Sequence, residues 1–329
     1  MEARVRGEVR RRDEASRRVR GGARGGLRTV VCLGVGVLLV VVGACAPWGG
    51  GETDGGGAGR GSGAGTTVSR TFVVREDVAV AKAAVPDPAP LPDLADLTVV
   101  DPVHVVAGLP GLDGLTQLEN VDASLGRWRT AVVVRDTAAY ARPGAEPVGV
   151  LPQRTLGVPT TLPVVDERPG WVRVMVAARG ALPSVDATAV NQRTVWVRTA
   201  DTTTAGTDWR IVVHTSAQTV TVEDGDSTTT LPVLATGSSS RPTPPGPQFV
   251  VGTFWDEPGT TTPRVVLLSS QSETMDDYDT RTGTSATAFH TTTLRSRGEV
   301  SNGCIRLSDA VLDVLWHRVP PGTLVVVEP

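Results

Sequence analysis

The chain has 329 residues, 40 % of them apolar, which is enough for two or three modest domains with packed cores. Its net charge of −3 divides unevenly: residues 1–28 hold ten arginines against four acidic residues, a net of +6, so the remainder carries −9. An acidic body excludes a nucleic-acid-binding surface, which needs a basic footprint to displace counterions. Valine and threonine abound and aromatics are few. Both branch at Cβ and suit pleated sheet better than helix, so the expected fold class is mainly β.

The basic segment 1–28 runs into an apolar stretch, and no further charge appears until Glu52. A basic flank before an apolar run is the secretory pattern, with the positive charge left on the cytoplasmic side. The run ends Val42-Gly43-Ala44-Cys45, which resembles a bacterial lipobox; that resemblance implies lipidation at Cys45. The alternative is an uncleaved anchor, since the run is long enough to span a membrane. Either version expects residues 1–45 to be a signal or membrane anchor, with the rest outside the cytoplasm. Residues 46–66 are a Gly-rich linker. The Gly-rich stretch lacks the Lys-Ser/Thr of a phosphate loop. Residues 67–126, with a Pro-rich stretch at 86–92, have no fold assigned.

Residues 127–204 carry short alternating runs at 130–134, 148–151, 169–176 and 194–198, separated by turn residues. This spacing predicts a small β-barrel or sandwich. The pair GWVRV (170–174) and VWVRTAD (195–201) resembles bacterial SH3-like domains, as a spacer or as a wall-contacting unit. From 205 to 329 the β pattern continues at 209–214, 218–222, 231–236, 248–254 and 264–268, with a hairpin turn expected at 223–226. Ser308 is a good N-cap for one helix reaching about Trp316, with Val311, Leu312, Val314 and Leu315 on one face. A strand at 323–327 closes the chain.

Three cysteines are present: Cys32 inside the apolar run, Cys45, and Cys304 alone in the exported body. A lone thiol in an oxidising compartment has no disulfide partner; it is either a packed core residue or a functional group. Cys304 follows Gly303, which permits an unusual turn and close approach of a substrate chain. Backbone N–H groups around such a turn can face a developing oxyanion. His290 lies upstream, and a Cys with a His is the minimal activated-thiol pair. Arg306 adds a cation two residues past the thiol, suited to a thiolate or a substrate carboxylate. His214, His317 and His104 read as structural or unassigned. No His/Cys/acid cluster has metal-ligand spacing, so no metal and no cofactor are expected.

The segment FHTTTLRSRGEVSNGCIRLSD (289–309) resembles the active-site signature of the YkuD-type L,D-transpeptidase family: an upstream His, then Ser/Thr-x-Gly-Cys-apolar-Arg/Asn. Residues 235–252 (ATGSSSRPTPPGPQFVVG) resemble the family's Thr-Gly … Thr-Pro-x-Gly stretch. Met275 and Tyr278 resemble its Met-x-x-Tyr element, and the last strand fits too. The resemblance spans about 207–329. It implies a β-sandwich with a short helix after the catalytic Cys. It implies Cys304 as nucleophile, His290 as general base and acid, and Gly303 as a backbone oxyanion donor, with Arg306, Ser301, Asn302 and Tyr278 contacting substrate. It departs from the family at Asn302, where His is frequent, and at Thr291, where Gly is common.

The implied reaction joins two peptidoglycan stem peptides. A thioester at Cys304 retains the acyl group of a tetrapeptide stem as the terminal D-Ala leaves, and an amine of a second stem then makes a 3→3 cross-link. Family members are also acylated by carbapenems. Competing readings are an L,D-carboxypeptidase, attachment of a protein to the wall, and a wall-binding module without catalysis. The expected partners are donor and acceptor stems and, through the N-terminus, the membrane.

Overall fold

The structure, a computed structural model, describes residues 93–255, 262, 264–279, 283–293 and 296–329. The expected anchor, Cys45, the Gly-rich linker and the Pro-rich stretch at 86–92 lie outside the described residues.

The first group of strands is β1 (Trp128–Val133), β2 (Thr137–Tyr140), β3 (Pro147–Leu151), β4 (Arg154–Thr155), β5 (Val158–Pro159), β6 (Thr161–Arg168), β7 (Trp171–Val176), β8 (Arg193–Arg198) and β9 (Thr202–Thr207). A short helix, α1 (Pro183–Asp186), follows β7. The second group is β10 (Trp209–His214), β11 (Thr219–Asp224), β12 (Ser227–Pro232), β13 (Ala235–Gly237), β14 (Gly246–Trp255), β15 (Arg264–Gln271), β16 (Ala286–His290), β17 (Gly298–Ser301), β18 (Ile305–Arg306) and β19 (Leu324–Glu328), with α2 (Asp309–Arg318) before the last strand.

These strands make two large sheets. The first is antiparallel in the order β3-β2-β8-β7-β6-β1-β9. The sequence predicts a small barrel here; the pairing runs as one sheet from β3 to β9, with β4 and β5 forming a separate hairpin. The second sheet runs β12-β11-β10-β19-β14-β15-β16-β18-β13-β17. Its edge strand β12 is a run of threonines exposed to water, a polar edge that discourages pairing with another chain.

Strand composition decides where the cores form. In β7 almost every side chain is buried, as expected for a valine-rich strand covered on both faces. One core joins Val133, Leu162, Val164, Val174 and Val197 of the first sheet to Phe249, Val251 and Leu324 of the second. The two sheets therefore share apolar burial and belong to one compact unit. The other core lies between the second sheet and α2, whose Val311, Leu312 and Leu315 pack on Ile211, Val266, Phe289 and Ile305. Ser308 caps α2 by accepting from the Val311 N–H at 3.4 Å. Asp309 sits in its first turn and His317 and Arg318 in its last, each matching the helix dipole.

Candidate active site

Period-two alternation builds the site. Strand β16 pairs in parallel with β18, Phe289 opposite Ile305 and His290 opposite Arg306. Opposed residues share a face, and successive residues alternate between faces. Phe289, Ile305 and Leu307 accordingly enter the core beneath α2. Ala288, His290, Cys304 and Arg306 turn the other way and line a cavity of about 440 Å³. Antiparallel β15 continues the rule, with Val266 and Leu268 in the core and Val265 and Leu267 in the cavity wall.

The turn that carries Cys304 is tied from within. Ser301, itself buried, donates through Oγ to the Cys304 carbonyl at 2.6 Å and accepts from the Gly303 N–H at 3.1 Å. Gly303 has φ +113°, a region that disfavours any side chain. A Cβ there would also meet the Pro242 carbonyl and the Thr287 methyl at 3.4 Å. The Gly303 N–H, which the resemblance assigns to an oxyanion, is thus spent on Ser301 Oγ in this arrangement and can serve an oxyanion only by leaving it. The 235–252 block supports the same turn from behind. Thr243 Oγ1 accepts from the Gly237 N–H at 2.9 Å, and Arg241 donates to Asn302 Oδ1 at 2.8 Å.

His290 is buried, and its Nδ1 lies 2.7 Å from the Thr291 carbonyl oxygen. A carbonyl only accepts, so Nδ1 carries the proton and Nε2 is the basic nitrogen. Burial pushes the imidazole below its usual range; the bond to Thr291 acts in the opposite sense, and the Arg306 charge adds to the lowering. Burial pushes the Cys304 thiol above its usual range, opposed by the Ala288 backbone hydrogen bond and by Arg306. Both shifts favour the neutral forms, thiol and imidazole, over thiolate and imidazolium. Arg306 itself carries a buried Nε with no hydrogen-bond partner. Its charge stabilises any anion that forms beside it.

The cavity gathers Cys304, His290, Arg306, Ser301, Asn302 and Tyr278, six of the seven residues singled out in this part of the sequence; Gly303 lies buried behind them. Tyr278 stands 63 % exposed on the loop between β15 and β16. The remaining histidines go elsewhere: His214 meets Glu328 at 3.0 Å on the sheet, His104 meets Asp101 at 2.7 Å, and His317 lies in the last turn of α2. Among the described residues no group of His, Cys and acidic side chains could hold a metal. Sequence reasoning missed Pro102, Val103 and Leu156, which come from the first sheet's part of the chain, and Phe254 of β14.

Residues 208–327 match the YkuD family, described as the L,D-transpeptidase catalytic domain. This segment is a YkuD-type L,D-transpeptidase catalytic domain. The chain therefore carries an L,D-transpeptidase catalytic domain, of a family that acts on peptidoglycan peptide stems. Among solved structures, the chain is similar to an L,D-transpeptidase from Mycobacterium smegmatis, with 17 % identity over 48 % of this chain and 91 % of that one and a TM-score of 0.31. It is also similar to L,D-transpeptidase 3 from Mycobacterium tuberculosis in complex with a faropenem-derived adduct, with 16 % identity, 49 % and 92 % covered and a TM-score of 0.30. The catalytic domain of the E. faecium L,D-transpeptidase gives 19 % identity, 37 % and 97 % covered and a TM-score of 0.28. No curated protein matches the chain.

Proposed function

We propose that this L,D-transpeptidase forms 3→3 cross-links between stem peptides through a thioester on Cys304. The observation that carries the reading is the shared face of β16 and β18, which turns His290, Cys304 and Arg306 into one cavity. His290 Nε2 takes the thiol proton as Sγ attacks the carbonyl carbon between the diamino acid and the terminal D-Ala. The C–N bond breaks, the imidazolium returns the proton to the leaving amine, and D-Ala departs. An amine of the second stem then attacks the thioester, loses its proton to His290, and expels the thiolate, which is reprotonated. The thioester conserves the energy of the peptide bond it replaces, so no nucleotide is consumed. The Arg306 cation favours the thiolate and the oxyanion of each tetrahedral intermediate. The same thiol is the expected target of carbapenem acylation.

The basic segment 1–28 and the apolar run ending at Cys45 support export and a lipid or membrane anchor at the outer face of the cell membrane. Replacing the nucleophile tests the reaction. Cys304→Ala is expected to abolish both release of D-Ala from a tetrapeptide stem and the carbapenem adduct. Turnover by a folded alanine variant would contradict the assignment.

A further inference from the structure

The catalytic cavity is not built by the second sheet alone. Pro102, Val103 and Leu156 line it together with Cys304, and none of them belongs to the matched catalytic domain. Leu156 sits at the tip of the β4–β5 hairpin, whose two-residue turn is Leu156-Gly157, with φ +49° and +85°. Two positive φ values make this a turn in which Asn, Asp or Gly is the expected first residue. A leucine there is strained, and its side chain is 47 % exposed. Neither turn chemistry nor core packing accounts for it. Its place in the cavity wall does. The hairpin is seated against β14, where a Cβ on Gly252 would meet the Val158 methyl at 3.2 Å.

A second, independent contact comes from Arg179, which follows β7 and is only 2 % exposed. Its guanidinium reaches the loop that bears Tyr278, donating to the carbonyls of Asp276 at 2.6 Å and Gly283 at 2.8 Å. Ser184 holds the Asp276 carboxylate through its N–H and Oγ, at 2.9 and 2.7 Å. Both ends of the loop are held as well. Gln271 donates to the Pro102 carbonyl at 2.5 Å and accepts from the Ser285 N–H at 3.0 Å.

We propose that the first sheet is a working part of the active site. Leu156 gives the cavity an apolar wall for the aliphatic chain of the stem's diamino acid, and Arg179 is a positioning residue that fixes the Tyr278 loop. The proposal rests on the reading that the cavity takes a peptide stem. It also gives the strained turn a purpose, since a leucine kept against backbone preference is repaid where it meets substrate.

The test uses the full chain with a disaccharide-tetrapeptide stem. Leu156→Asn restores favourable turn chemistry, so the melting temperature holds or rises by about 2 °C. Removing the apolar wall is expected to raise KM about tenfold. Stability and binding thus move in opposite directions, which a merely structural leucine does not produce; an unchanged KM overturns the wall. Arg179→Met removes both carbonyl contacts. It is expected to raise KM more than it lowers kcat and to speed amide hydrogen exchange at Tyr278 and Gly283, while Val213 in the sheet centre keeps its protection. Arg179→Lys should restore part of the loss. Unchanged exchange at Tyr278 and Gly283, or a loss of protection shared equally by Val213, overturns the clamp. If the wild type leaves the stem untouched, the functional reading fails, while the exchange experiment still decides the clamp.

Discussion

Ser301→Ala probes the turn on which the reactive thiol sits. The hydroxyl makes two hydrogen bonds, one to the Cys304 carbonyl and one from the Gly303 N–H. Ser301 and Gly303 are both buried, so the two partners are left largely cut off from bulk water. Leaving a buried polar group unsatisfied costs about 1–3 kcal/mol. Two groups sharing one staple, with some relaxation, give about 3 kcal/mol. For a folded body of this size each kcal/mol shifts the melting temperature by about 2–4 °C, so a fall of about 6–12 °C is expected in a thermal scan by circular dichroism. The freed turn also lets the thiol drift from His290, and displacements of this kind cost about 100-fold in rate. A shift below about 1 °C together with unchanged stem turnover would refute the reasoning, because it would mean that Ser301 Oγ staples nothing.

Other expectations follow from the same geometry. His290→Ala should slow acylation of Cys304 by about 10²–10⁴-fold without changing the circular dichroism spectrum, since a positioned general base contributes that much; normal acylation in the folded variant would remove His290 from the mechanism. Burial lowers the His290 pKa below the ordinary 6.5 and raises that of Cys304 above the ordinary 9.0, so neutral imidazole persists into acid. The acid limb of kcat/KM should therefore lie below pH 6.5, and iodoacetamide alkylation of Cys304 should still climb above pH 9. An alkylation plateau near pH 7 would indicate a preformed ion pair instead. Arg306→Met removes a charge that lowers both groups, so the acid limb moves to higher pH and alkylation at fixed pH slows; a profile that stays in place would refute the electrostatic role. Gly303→Ala puts a side chain at φ +113° and against the Pro242 carbonyl. It should cost about 1–3 kcal/mol in stability, read as a lower denaturant midpoint.

The chemistry was more legible in the sequence than the pairing that assembles it. Cys304, His290 and Arg306 stood out because an activated thiol needs a base and benefits from a cation, and few residue types supply either. Strand β10 was readable to the residue, since 209–214 alternates and turn signals bound it. The neighbouring hairpin shows the limit. The turn was expected at 223–226, but Asp224 pairs with Ser227 and the turn's centre is Gly225-Asp226, with Gly225 at φ +61°. A glycine first in the turn meets the same backbone need one residue later.

Strands β16, β17 and β18 were not foreseen, because they have only five, four and two residues. Their pairing depends on distant chain rather than on local alternation. Parallel pairing of β16 with β18 is what puts His290 and Arg306 on one face, and no local signal announces it. The cavity wall from the first sheet was hidden for a similar reason. Leu156 offered one clue, a leucine before glycine where a hairpin favours asparagine. Arg179 lies in a run of apolar and small residues (174–181), and only the fold reveals that its charge is buried against loop carbonyls.

The central claim is most directly tested by incubating the full chain with a purified disaccharide-tetrapeptide and following the products by mass spectrometry. A cross-linked dimer that has lost one D-Ala, absent with Cys304→Ala, is the predicted result. Tripeptide without dimer would contradict cross-linking and make water the acceptor of the same acyl group.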